Sequence, residues 1–135
     1  MDITALALNE STTFLQLTHP ADGSKLEDNG KPVGVNVFGP GTSQFARAQR
    51  KLQNAALRRQ AKGGKVEPEV LRKEMDTFLT EVTSSFVNLT LGGVAMESQE
   101  DFRAFYADPR FGWVRSQVDE GLSDNSNFLG ESQTG

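Results

Sequence analysis

The chain has 135 residues, 36% of them hydrophobic, a formal net charge of −4 and no cysteine. That length implies one domain with a modest core, burying roughly two-thirds of its unfolded surface. Lack of cysteine excludes disulfides and thiolate chemistry and favours a reducing, cytoplasmic setting. No apolar run approaches the roughly 20 residues that span a bilayer, and Met1-Asp2-Ile3 lacks the basic start of a signal peptide.

In residues 1–12 (MDITALALNEST) Ile3, Ala5 and Ala7 alternate with Thr4, Leu6 and Leu8, but the run reads equally as a frayed helix or a mobile N-terminal arm. A single domain is expected over 13–129. It opens with TFLQLT (13–18), an alternating run ended by His19-Pro20, because proline lacks a ladder donor. Asp28-Asn29-Gly30 is a turn signal, and Val33, Val35 and Val37 then alternate with Gly34, Asn36 and Phe38. Together 13–38 read as an antiparallel hairpin with a long loop. Gly39-Pro40-Gly41 breaks the strand, and Thr42 or Ser43 caps a helix over about 43–62, with Phe45, Ala48, Leu52 and Ala55 at helical spacing. Lys62-Gly63-Gly64 ends it. Glu67-Pro68-Glu69 starts a second helix, about 67–86, with Val70/Leu71, Met75, Phe78/Leu79, Val82 and Phe86 on its stripe. Two ends are open to it, a run on through Asn88-Leu89 or a break near Ser84-Ser85, because Phe86 to Leu91 has strand-like residues. Ser98 with Asp101 resembles a capping box for a helix over 98–107, and Asp108-Pro109 opens a last helix over 109–123. Residues 130–135 read as a disordered tail. The fold class expected is mainly α within α+β: a small N-terminal β-hairpin followed by about four helices.

The stretch 98–129 holds Phe102, Phe105, Tyr106, Phe111, Trp113 and Phe128, which is most of a complement of nine Phe, one Trp and one Tyr. Aromatics make the largest single burials in a small core, so the rest of the chain is expected to pack there.

Charge is unevenly spread. Residues 47–65 contain Arg47, Arg50, Lys51, Arg58, Arg59, Lys62 and Lys65 and no acid, so the remainder carries −11 against this segment's +7. Solvated helix faces normally mix both signs. The run therefore points to an acidic partner surface, to nucleic acid, or to an acidic face of the same molecule. The acidic remainder disfavours nucleic acid. Arg47, Arg50, Lys51, Arg58 and Arg59 are the candidate partner-binding residues. Arg110, Trp113 and Arg115, on or near the exposed side of the last helix, form a second candidate set, since Trp and Arg are the types most enriched at binding hot spots.

Catalytic devices are not apparent. His19, the only histidine, precedes a proline in a loop, and no cysteine or carboxylate spacing builds a metal site or a nucleophilic triad around it. Gly39-Pro40-Gly41-Thr42-Ser43 lacks the Gly-Lys-Ser/Thr ending of a nucleotide loop. Glu67, Glu69, Glu74 and Asp76, and later Glu97, Glu100 and Asp101, are read as lying at helix starts, where the dipole accounts for them. The chain reads as a non-enzyme without cofactor or metal.

Three stretches, taken in order, resemble the tail assembly chaperones of long-tailed bacteriophages. LTHPADGSKL (17–26) is similar to the family's early strand and turn. VNVFGPGTSQFARAQRK (35–51) is similar to its strand, Gly-Pro break and basic helix. FRAFYADPRFGWVRSQVDEGLSDNSNFL (102–129) is similar to its closing aromatic-Tyr pair, Gln-Val helix and terminal Asn-Phe-Leu. The resemblance implies a small, mostly helical protein of a phage or prophage, acting in the host bacterial cytoplasm and absent from the mature virion. Its implied partners are the tape measure protein, which it coats, and the major tail tube protein, which it recruits. Self-association is also implied, and the family often makes a longer frameshifted product. It has no catalytic residues to carry over. Two other readings stand beside it: a structural head–tail connector or tail-completion protein, and a small nucleic-acid-binding regulator using the basic helix.

Overall fold

The computed structural model describes residues 1–130, so of the tail expected at 130–135 only Gly130 is among the described residues. Strand β1 (Thr12–Gln16) and strand β4 (Gly34–Phe38) pair antiparallel, with Leu15 opposite Val35 and Gln16 opposite Gly34. Between them, β2 (Glu27–Asp28) and β3 (Lys31–Pro32) form a two-stranded ribbon. Asn29 and Gly30 turn it at positive φ, a conformation these residue types tolerate. The hairpin expected over 13–38 is therefore present. Thr13, Leu15, Leu17, Val33, Val35 and Val37 are its buried face. Gly34 permits the close approach of β1: a Cβ there would stand 2.2 Å from the Leu15 carbonyl oxygen. Ahead of the hairpin, Ile3–Leu6 is a 3-10 turn with no buried residue, capped by Asp2.

Thr42 starts helix α1 (Ser43–Ala61): its hydroxyl accepts from the Phe45 amide at 3.2 Å and donates to the Gly39 carbonyl at 2.7 Å. Gly63 and Gly64, both at positive φ, reverse the chain into helix α2 (Pro68–Val82). The two helices lie antiparallel, as their ion pairs Lys51–Glu81 and Arg59–Glu74 register.

The second helix was expected to run to residue 86, but it stops at Val82, and Thr83–Val87 is a strand, β5, on the far side of β4. The hydroxyls of Thr80 and Thr83 donate back to the carbonyls of Asp76 and Leu79, both at 2.7 Å, a competing bond that weakens a helix end. The backbone edge that β4 would otherwise leave unpaired gives Thr83–Val87 a better set of hydrogen bonds, in the order β1-β4-β5. A further ribbon, β6 (Thr90–Leu91) with β7 (Val94–Ala95), follows. Strands are thus spread along the chain instead of being confined to one N-terminal hairpin. With 52% helix and 21% strand the fold is an α+β mix.

Helix α3 (Gln99–Ala107) begins with a complete capping box between Ser98 and Asp101. A 3-10 turn, Pro109–Phe111, leads into helix α4 (Gly112–Ser123), and a last 3-10 turn, Asn125–Phe128, returns the chain to the sheet. The aromatic block does form the core. Phe102, Phe105, Tyr106 and Phe128 are buried, and the Phe86 ring of β5 sits edge-on to Phe102 and Phe105 with centroids 5.2 and 5.1 Å away. Gln117 of α4 fastens to the strand backbone through both of its amide atoms, accepting from the Thr18 N–H at 2.9 Å and donating to the Thr18 carbonyl at 3.0 Å.

Candidate partner-binding face

Helix α1 has one fully buried residue, Ala48; Phe45, Leu52, Ala55 and Arg59 are half-buried on the same side, toward α2 and the core. At 3.6 residues per turn, Arg47, Lys51, Asn54 and Arg58 (steps of four, three and four) fall on one flank of that buried stripe. Small residues in the α1–α2 seam keep it from closing. Ala48, Leu52 and Ala55 face Lys73, Thr77 and Phe78 across a groove of about 190 Å³. Lys51 and Glu81 pair across it at 3.2 Å, and Arg59 pairs with Glu74.

The five candidate residues of α1 therefore divide. Arg47, Arg50 and Arg58 are exposed and make no ion pair among the described residues. Lys51 is exposed but engaged with Glu81, while Arg59 is half-buried and held by Glu74. The other oxygen of Glu74, Oε1, is shut off from solvent and has no hydrogen-bond partner. An acceptor in that state is costly to leave unpaired.

The second candidate set does not gather on one surface. Arg110 folds back onto Asp108, with Nη2 to Oδ2 at 2.8 Å, and its guanidinium lies 5.3 Å from the centroid of the Phe111 ring. That guanidinium, then the Arg110 backbone N–H, holds the Asp108 carboxyl below its ordinary value. Trp113 is half-buried against the core, not on the open side of α4. Arg115 donates from Nε to buried Asp76 at 2.7 Å, tying α4 to α2.

Sequence reasoning missed the α2 half of the site: Lys73, Glu74, Thr77, Phe78 and Glu81. A signal was available. Lys51 and Arg59 are eight residues apart and Glu74 and Glu81 seven, the spacing that antiparallel helices joined by a short loop bring opposite each other. The groove itself has no sequence signal beyond alanines where larger seam residues would fill it.

Among the described residues no group of three or more His, Cys, Asp or Glu side chains is placed to hold a metal ion, and no helix is long and apolar enough to cross a membrane. Comparison with protein-family models, with curated proteins and with solved structures finds no match to this chain.

Proposed function

We propose that the chain is a tail assembly chaperone of a long-tailed phage or prophage. In this reading it is a non-catalytic protein that binds the tape measure protein and recruits tail tube subunits in the host cytoplasm, then leaves before the virion is complete. The observation that carries the binding role is the open side of α1, where Arg47, Arg50 and Arg58 stand exposed and make no ion pair among the described residues. Unpaired arginines on a helix are well suited to acidic stretches of a long helical partner. The biology comes from the order of the three family-like stretches, which cover residues 17–26, 35–51 and 102–129.

The test is co-expression of the triple variant Arg47→Glu, Arg50→Glu, Arg58→Glu with the tape measure protein encoded nearby. Recovery of the complex should fall at least tenfold while far-UV circular dichroism stays unchanged. Undiminished recovery sinks the role given to α1. Finding the chain by mass spectrometry in purified virions would favour a structural connector instead. Retention on DNA that falls log-linearly with salt would give the arginines to nucleic acid.

A further inference from the structure

We infer that the α1–α2 groove seats an acidic amphipathic helix from another protein, laid along the helical hairpin as its third helix. The inference rests on the binding role proposed above for α1 and assigns it a specific place and partner chemistry. Three observations lead there.

The first is shape. Ala48 and Ala55, seven residues apart, keep the seam shallow between Leu52 and Phe78. The resulting hollow of about 190 Å³ is several times the roughly 30 Å³ that one water occupies. It is apolar at its floor and suits one or two hydrophobic side chains from a docked helix.

The second is charge. Lys51 and Lys73 line the groove, and Arg47 and Arg58 lie on the same flank of α1, one turn before and two turns after Lys51, with Arg50 a turn from Arg47. The two acids in its lining, Glu74 and Glu81, are already paired with Arg59 and Lys51. What remains for a ligand is positive, so the ligand is acidic.

The third is spacing. Arg47 and Arg58, the two cations of this flank that Glu81 and Glu74 leave to a ligand, are separated by about 16 Å along the α1 axis at 1.5 Å per residue. Carboxylates eleven residues apart on a second helix match that ladder; an extended peptide, at roughly 3.3 Å per residue, matches it only with carboxylates about five apart. The chain's own helices do not supply such a ligand. The exposed acids of α3 and α4 are adjacent pairs, Glu100 with Asp101 and Asp119 with Glu120, so a second copy lacks the ladder.

The probe is a fluorescently labelled 21-residue alanine-based helical peptide with glutamates at positions 4 and 15 and leucines on the neighbouring stripe. A control peptide carries lysine in place of each glutamate. The glutamate peptide should bind the full chain, and its affinity should fall at least tenfold for Ala55→Phe, which fills the groove without changing charge. It should fall similarly for Arg47→Glu with Arg58→Glu. Chemical-shift changes should centre on Ala48, Ala55 and Thr77. Should Ala55→Phe melt early, Thr77→Phe fills the opposite wall and takes its place. Equal affinity for the groove-filled and native chains, equal binding of the lysine peptide, or shifts centred elsewhere overturns the inference. So does concentration-dependent self-association that Ala55→Phe abolishes, because it assigns the groove to a second copy. Peptide binding that persists while the tape measure protein fails to co-purify would refute the chaperone reading and leave the groove assignment standing.

Discussion

Tyr106 is fully buried, and desolvation pushes its hydroxyl well above the ordinary tyrosine value. The hydroxyl lies 2.7 Å from Thr83 Oγ1, which donates in turn to the Leu79 carbonyl. With the threonine proton committed there, the tyrosine is the donor. This relay explains why a polar side chain sits at the centre of an aromatic core. Removing either end has unequal consequences. Tyr106→Phe deletes the donor and should cost about 1 kcal/mol, whereas Thr83→Val strands a buried phenol and should cost about 2 kcal/mol. In urea unfolding, the double variant should lose less than the two singles combined, since both act on one bond. The buried tyrosine was legible in the sequence as part of the aromatic block. Its partner was not, because Thr83 occupied what read as the tail of a helix.

At the scale of elements, the least local ion pair among the described residues is Arg115 of α4 on Asp76 of α2, a carboxylate only 5% exposed. Arg115 had the composition of a binding hot spot, and tertiary packing turns it inward. Arg115→Met should leave Asp76 buried without a counter-charge and lower stability by about 3 kcal/mol, and adding Asp76→Asn should recover much of that loss. Binding of the acidic helix should be unaffected, which separates this arginine from Arg47 and Arg58. By contrast, the Lys51–Glu81 pair is on the surface, with the lysine 65% exposed. Such a pair contributes less than about 1 kcal/mol; its importance is in consuming a carboxylate that would otherwise repel an acidic ligand. The element misread in the sequence, Thr83–Val87, illustrates the same dependence on neighbours. Its β-branched and aromatic residues suit a strand, but a strand forms there only because β4 offers an unpaired edge.

For the molecule as a whole, five aspartates share one electrostatic pattern. Asp2, Asp22, Asp101, Asp108 and Asp124 all titrate below the ordinary aspartate value of 3.8. The leading cause at Asp101 is the Glu97 backbone N–H; at Asp22 and Asp124 it is the side chain of a serine two residues on. A carboxyl whose folded pKa is depressed stabilises the fold fully above its unfolded pKa and loses that contribution as pH falls through the folded one. The urea midpoint should therefore be flat with respect to these groups above about pH 5 and decline as pH drops below about 4. Asp101→Asn should reduce that decline, because it removes one of the linked protons.

Local rules were enough to place the hairpin, the starts of α1, α2 and α3 and the identity of the core. Each depends on neighbours within a few residues: alternation in Val33–Val35–Val37, the Thr42 cap, Pro68 at a first turn, the Ser98–Asp101 box, and aromatics at helical spacing. The acid-free charge of α1 was equally visible. What required the folded chain was every decision made across a gap in sequence. Packing α2 against α1 neutralises Lys51 and Arg59, leaves Arg47, Arg50 and Arg58 without an ion pair among the described residues, and opens a groove over two alanines. Pairing β5 with β4 ends α2 early. Charge pairing and edge closure act through space over a few ångströms, so the residues that compete for them cannot be ranked until the chain has brought them together.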